Sequence, residues 1–365
     1  MKKHIRKATF WTATIAVLSF GGAPAKAAIV VDQNTAVGAP SCTGAATQYN
    51  TIQAAVSAAA SGATIEICPG TYSEQVTIAT TLTLKGVTDT TDNVGAVVVT
   101  IPGGTFSGAF TQILIQATSV TLTDIGVDGT NTLSSCDFGP TLTGVQFAAG
   151  SSGTLKDVAL RNQNIGNGSG GYCESGTSVS ANGATSVTIT DSSIRNFDSQ
   201  GTNLTASSTV TVKATTVAPI TNITANCVYA NAPTVEVSGS SMADCYVGVY
   251  VTSTVQGTVS NNTIHGGTSG NSGVFCFPVC TGLTISGNTI FETGMGFGMK
   301  TSGGTGGVTF ENNDVYGTTY GVYLFGQPGN TISNNTFNDA QYGVYGASGN
   351  TVSGNTYRTV TTLTD

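Results

Sequence analysis

Ten times between residues 122 and 357 the chain repeats one device: two apolar residues five positions apart, separated mostly by Asp, Asn, Ser, Thr or Gly. The first apolar column runs Leu122, Leu155, Ile189, Val212, Val237, Val259, Ile285, Phe310, Ile332, Val352. The second runs Val127, Leu160, Ile194, Val217, Met242, Ile264, Ile290, Val315, Phe337, Tyr357. All twenty positions are apolar or aromatic, although only 39% of the whole chain is. Successive members of the second column lie 33, 34, 23, 25, 22, 26, 25, 22 and 20 residues apart. A unit that short cannot bury its apolar side alone. Stacked coils can, each adding strands about 4.8 Å above the last. Alternation sends one side chain inward and the next outward, while Asn and Gly take the bends at positive φ. Propeller blades need about 40 residues per repeat, and a β-sandwich shows no fixed period. The spacing therefore predicts an all-β chain wound as a parallel β-helix, a solenoid of about a dozen coils.

Composition narrows the function. Charged residues make up 8% of the 365, against about 25% in an average chain. A nucleic-acid binder needs a basic stripe, and none is present. The N-terminus holds five of the 12 basic residues. Lys2, Lys3, Arg6 and Lys7 precede an apolar run from Ala8 to Phe20, followed by Ala25-Lys26-Ala27. This has the layout of a secretory signal peptide, and the run is too short to span a bilayer. Cleavage after Ala27 removes five basic residues and leaves seven against 19 acidic ones, a formal charge of −12. It also removes the only Trp (Trp11) and His4, so that His265 remains alone. The expected product is a secreted or cell-surface monomer with no membrane span.

All eight cysteines fall in the exported part: Cys42, Cys68, Cys136, Cys173, Cys227, Cys245, Cys276 and Cys280. An even count in an exported chain reads as disulfides. Sequence alone leaves the connectivity open, and pairing of consecutive cysteines is the simplest arrangement. A metal reading fails on spacing, because Cys276 and Cys280 have no second pair or His cluster nearby.

A family resemblance accompanies these patterns. Thr51–Ile78 (TIQAAVSAAASGATIEICPGTYSEQVTI) resembles the opening of right-handed parallel β-helix proteins of the pectin-lyase-like superfamily. Asn330–Phe337 (NTISNNTF) followed by Gly343–Tyr345 resembles its generic repeats, and the likeness covers residues 45–360. It implies the right-handed fold, and only weakly an activity, since one fold hosts many chemistries. In the opening, Ile52, Ala55, Val56 and Ala59 share one helical face. A short helix ending at Gly62 is expected to cover the open edge of the first coil. The expected organisation is a signal peptide over 1–27, an N-terminal segment with the capping helix over 28–62, and the β-helix over 63–365.

The superfamily's named chemistries do not transfer. Pectin-esterase motifs find only Asp137-Phe138-Gly139. The Arg-x-Pro-x-x-Arg signature of pectate lyases is absent around Arg161, Arg195 and Arg358. The Gly-His-Gly of polygalacturonases has only Ile264-His265-Gly266-Gly267 as an echo. Copper-linked members want several His or Met ligands.

Two constellations remain. Two residues after the first column come Asp124, Asp157 and Asp191, and one residue after the second come Asp128, Arg161 and Arg195. Neighbouring coils would stack these about 5 Å apart, close enough for carboxylates to disturb one another unless a cation intervenes. Their coils are the long ones, and the extra loops (131–147 and 162–183) carry Asp137 and Glu174 and are within reach of a Cys136–Cys173 bond. Three readings stay open: a ladder of turn residues and ion pairs, a Ca²⁺ site at Asp124 and Asp128, or an acid/base site. The second constellation is aromatic. Triplets centred on Tyr229, Tyr250, Phe275, Gly298, Tyr323 and Tyr345 recur at intervals of 21, 25, 23, 25 and 22. If the flanks point inward, five rings line one outer face, with a gap at Gly298 beside Lys300. Such rings stack on the apolar faces of sugars, or on each other to stiffen the sheet.

The leading expectation is binding of an extracellular or cell-wall polysaccharide through Tyr229, Tyr250, Phe275, Tyr323 and Tyr345, with Arg195 assisting. The alternatives are a lyase or hydrolase on an acidic glycan using Asp157, Asp191, Arg161 and Lys300, or a structural adhesin. His265 reads as an outward polar residue, and Asn312, Asn313, Asn334, Asn335 and Asn355 as turn and ladder chemistry.

Overall fold

Each apolar column of the sequence becomes a column of the structure. The computed structural model describes residues 28–87, 96–137, 139–166, 169, 171–220, 225–254, 256–266, 271–278, 280–300 and 306–364, so the leader over 1–27 lies outside the described residues. Within them the strands form three parallel ladders, which we call sheets 1, 2 and 3. Sheet 1 places Leu122 beside Leu155, Leu155 beside Ile189, and so on to Ile332 beside Val352. Sheet 2 does the same from Val127 to Tyr357 without a slip. The aromatic triplets stack in sheet 3. One strand from each sheet makes a coil, and twelve coils run from Ala63–Ile67 to Thr356–Thr364. The strand Ile29–Val31 also joins sheet 1, so stacking begins before residue 63. The three inward faces meet in one continuous core that includes the fully buried Phe147, Phe197, Phe297, Phe310 and Phe337.

The corner between sheets 1 and 2 explains the residues between the two columns. Asp124, Asp157, Asp191, Ala214, Gly239, Asn261, Gly287, Asn312, Asn334 and Gly354 all have φ between 46° and 66°. This left-handed backbone suits Gly and short Asx side chains and few others. The next corner residue turns inward. Asn262, Asn288, Asn313, Asn335 and Asn355 form a ladder in which each Oδ1 from Asn288 onward accepts both the backbone N–H and the Nδ2–H of the preceding Asn, at 2.9–3.0 Å. Ser192, Thr215 and Ser240 continue it downward with hydroxyls and amides. The ladder satisfies polar backbone that a tight corner would otherwise strand in the core.

The ends and loops follow the sequence closely. Helix α1 (Ile52–Ala58) is capped by Thr51 and by Glu74, whose carboxylate accepts from the N–H groups of Ile52 and Gln53. It stops earlier than expected, because Ala59 is already extended, and buries Ile52, Ala55 and Val56 against the first coil. The cysteines pair consecutively: Cys42–Cys68, Cys136–Cys173, Cys227–Cys245 and Cys276–Cys280. Among the described residues no helix is long and apolar enough to cross a membrane.

Candidate functional site

Sheet 3 builds its outer face from a short repeated phrase, Gly-Val-aromatic. Gly248 and Gly273 sit so close to sheet 2 that a Cβ would lie 2.4 Å from Ile264 Cγ2 and 2.3 Å from Ile290 Cγ2. The following Val249 and Val274 are fully buried. The next residue then faces outward. Tyr229, Tyr250, Phe275, Gly298, Tyr323 and Tyr345 are in register across adjacent coils, with the aromatic members half-buried. Tyr229 and Tyr250 meet edge to face at 5.2 Å, and Tyr250 and Phe275 at 5.4 Å.

Three further rings join this strip. Phe325 stacks on Tyr323 at 3.8 Å and reaches Phe275 edge-on at 6.4 Å, bridging the gap at Gly298. The Phe275 ring also leans over Gly298, where a Cβ would lie 2.7 Å from its Cδ2. Tyr320 and Tyr342 stack on each other at 5.1 Å; Tyr320 also stacks on Tyr323, and Tyr342 meets Tyr345 edge to face at 5.2 Å. The repeated Tyr-Gly-Val-Tyr at 320–323 and 342–345 carried the signal for the tyrosines. Phe325, at φ 49°, left none. Below the strip the same column continues as Gln146, Ser180 and Asn203. A groove beside it is lined by Asn226, Tyr246, Val247, Tyr250, Asn271 and Phe275. In the sheet 3 segments from 76–78 to 362–364 there is no Asp, Glu, Lys or Arg.

The acidic constellation is divided by the fold. Asp124, Asp157 and Asp191 do stack, on the left-handed corner. Burial, and then Asp124 and Asp191 working against Lys156, hold the Asp157 carboxyl above its usual range. Arg161 is not free to join them. Its Nε donates to Asp128 Oδ2 at 2.8 Å, on the far side of a three-residue strand. Asp128 also accepts from Thr130 N, Thr130 Oγ1 and Asn162 Nδ2. Burial works to raise its pKa, but these bonds outweigh it and hold the carboxyl below the usual range. A Ca²⁺ site at Asp124 and Asp128 does not fit, since the two stand at opposite ends of that strand and the Asp128 oxygens are taken. No cluster of three metal-ligating side chains occurs among the described residues. Lys300 does not join Asp157 and Asp191 either, because it follows Met295–Met299 in sheet 3, four to five coils higher or about 19–24 Å along the axis. Arg195 lies on sheet 2, bonded to Ser193, and so does not serve the aromatic face.

Two other groupings escaped the sequence. His265 sits between Asp244 (3.6 Å) and Glu292 (2.7 Å) and stacks on Phe291, which stacks on Tyr316. Asp198 is 1% exposed and accepts from Ile165 N at 2.9 Å and from Gly176 N, clamping the loop that Cys173 ties down. Burial leads the balance and raises its carboxyl pKa, although these backbone bonds pull the other way.

Known proteins share the architecture. The family model for the right handed beta helix region matches residues 125–315 and 219–359, together more than half of the chain. No curated protein matches the sequence. Among solved structures, the A-module of the Azotobacter vinelandii mannuronan C-5 epimerase AlgE6 aligns with a TM-score of 0.52 at 19% identity, covering 84% of this chain and 94% of that one. The AlgE4 A-module gives 0.50 at 14% identity, covering 86% and 92%. A mutant of DFA-IIIase from Arthrobacter chlorophenolicus A6 in complex with DFA-III gives 0.54 at 12%, covering 91% and 84%. At these identities the likeness is one of fold. The registered columns, the three sheets and the family match together make this chain a member of the right-handed β-helix family.

Proposed function

We propose that the protein binds a polysaccharide along the aromatic outer face of sheet 3. The observation that carries the reading is the strip itself: Tyr229, Tyr250, Phe275, Tyr323 and Tyr345 in one column, joined by Phe325, Tyr320 and Tyr342. Outward rings repeated once per coil offer a polymer the same contact again and again. Structural neighbours named for mannuronan and for DFA-III fit a carbohydrate ligand. Four disulfides fit an exported protein, and we take it to act as a monomer outside the cytoplasm. The acid/base alternative at Asp157 and Asp191 gains nothing from the geometry, since both are corner residues without a cation from Arg161 or Lys300.

Affinity electrophoresis through gels containing different polysaccharides tests the reading. At least one should retard the protein, and Tyr250→Ala with Tyr323→Ala should weaken retention at least tenfold, about 1.4 kcal/mol, as truncating central aromatic contacts does. Retention unchanged by that pair would refute the strip as the binding surface.

A further inference from the structure

Resting on that reading, we infer that the bound polysaccharide is uncharged, and that the groove between Tyr246 and the Tyr250–Phe275 pair seats one of its sugar rings beside the Asn226 and Asn271 amides. Charge makes the first half of the case. Sheet 3 presents hydroxyls, amides and rings but no ionised group on any of its twelve strands. Lys300 is the one cation directly flanking a strip strand among the described residues. A polyuronate brings a carboxylate with each residue and is held by Arg forks or Lys ammonium groups. This face offers it no such fork, and the −12 charge of the exported chain repels it at a distance.

The groove makes the second half. It is lined by the buried Val247 and by the aromatic residues Tyr246, Tyr250 and Phe275, together with the two asparagines. Asn226 is half-buried, and among the described residues its side-chain amide makes no hydrogen bond. Asn271 accepts at its Oδ1 from Ser272 Oγ at 2.9 Å, and its Nδ2–H groups find no acceptor among the described residues. A neighbour in the same column, Gln200, leaves a buried Oε1 without a partner. Sugar hydroxyls both donate and accept, and so do side-chain amides. An apolar ring face over a tyrosine with hydroxyls reaching amides therefore satisfies every group present. Burial, followed by the neighbouring Tyr229, raises the Tyr250 hydroxyl pKa, so that side chain stays neutral at physiological pH.

The test uses the mature chain, soluble neutral glycans (β-glucan, mannan, xylan, inulin) and acidic ones (pectate, alginate), with titration calorimetry at low and high salt. A neutral glycan should bind with an affinity insensitive to salt, and Asn226→Ala should raise its Kd about tenfold, the loss of one well-made hydrogen bond. Because the Asn226 amide has no partner among the described residues, the variant should keep the wild-type melting curve. Binding of an acidic glycan alone, weakened by salt screening, would overturn this inference and leave the aromatic strip standing. Neutral binding indifferent to Asn226→Ala and Asn271→Ala would overturn the groove. Binding to neither class would remove the strip and the inference together.

Discussion

Asn288 sits midway in the inward ladder, 1% exposed, and replacing it by Ala tests how the coils hold together. Its Oδ1 accepts from Asn262 N and Asn262 Nδ2, both at 3.0 Å. Its Nδ2 donates to Val259 O at 2.8 Å and to Asn313 Oδ1 at 2.9 Å. Asn262 Nδ2 keeps a second acceptor in Val237 O, but Asn262 N–H has no other partner. Asn288→Ala therefore orphans one buried N–H and takes a donor from Val259 O. At about 1–3 kcal/mol for each of the two groups, the cost is about 2–6 kcal/mol. Asn355→Ala, on the last coil, breaks the equivalent bonds of Asn335 where water can replace them, and should cost below about 1 kcal/mol. Asn288→Ser should fall between, because Ser240 already fills this position with a hydroxyl that accepts from Thr215 N. Urea unfolding gives the totals, and hydrogen exchange at the Asn262 amide reports the local opening expected of a repeat array. Equal losses for Asn288→Ala and Asn355→Ala would refute the ladder as a source of stability.

Three more outcomes follow from the same structure. Asp198→Asn presents an NH₂ to a backbone N–H, so the loop between Ile165 and Gly176 should exchange and be cleaved faster by protease. With its folded pKa raised, the wild-type carboxyl contributes stability fully present below the unfolded value of about 3.9 and lost as pH rises through the folded one. The advantage of wild type over Asn should shrink over that interval, and an advantage growing with pH would contradict it. Asp157→Asn keeps a side chain suited to the left-handed corner and removes the repulsion from Asp124 and Asp191. Thermal melting should show it more stable than wild type above the carboxylate range and equal to it in acid. Gly273→Ala would drive a Cβ to 2.3 Å from Ile290 Cγ2, costing about 1–3 kcal/mol in urea unfolding, and a neutral result would mean the two sheets are looser than described.

Much of the fold was legible because a β-helix imposes the same test on every coil. An inward position must be apolar each time round, so Leu122 to Val352 and Val127 to Tyr357 could be read off by spacing and proved to be in register. The rings of sheet 3 followed by the same logic. What spacing could not supply is how a stacked side chain spends its bonds. Asp157 and Arg161 share a coil, yet one turns a corner and the other is consumed by Asp128. Residue type alone hides place in the solenoid: Lys300 stands coils above Asp157 and Asp191, and Arg195 stands on a different sheet from the rings. Phe325 and Asp198 belong to turns, where no period applies.

The uniform corner has a consequence beyond stability. Since ten successive coils, from Asp124 to Gly354, leave sheet 1 through a residue of the same left-handed backbone, each of those coils begins and ends in interchangeable backbone. Gaining or losing one would slide the rings above it by about 4.8 Å without turning them around the axis. The length of polymer such a face can grip is then counted in repeats, and a lineage can lengthen or shorten its reach by copying a segment of the chain rather than by redesigning a site.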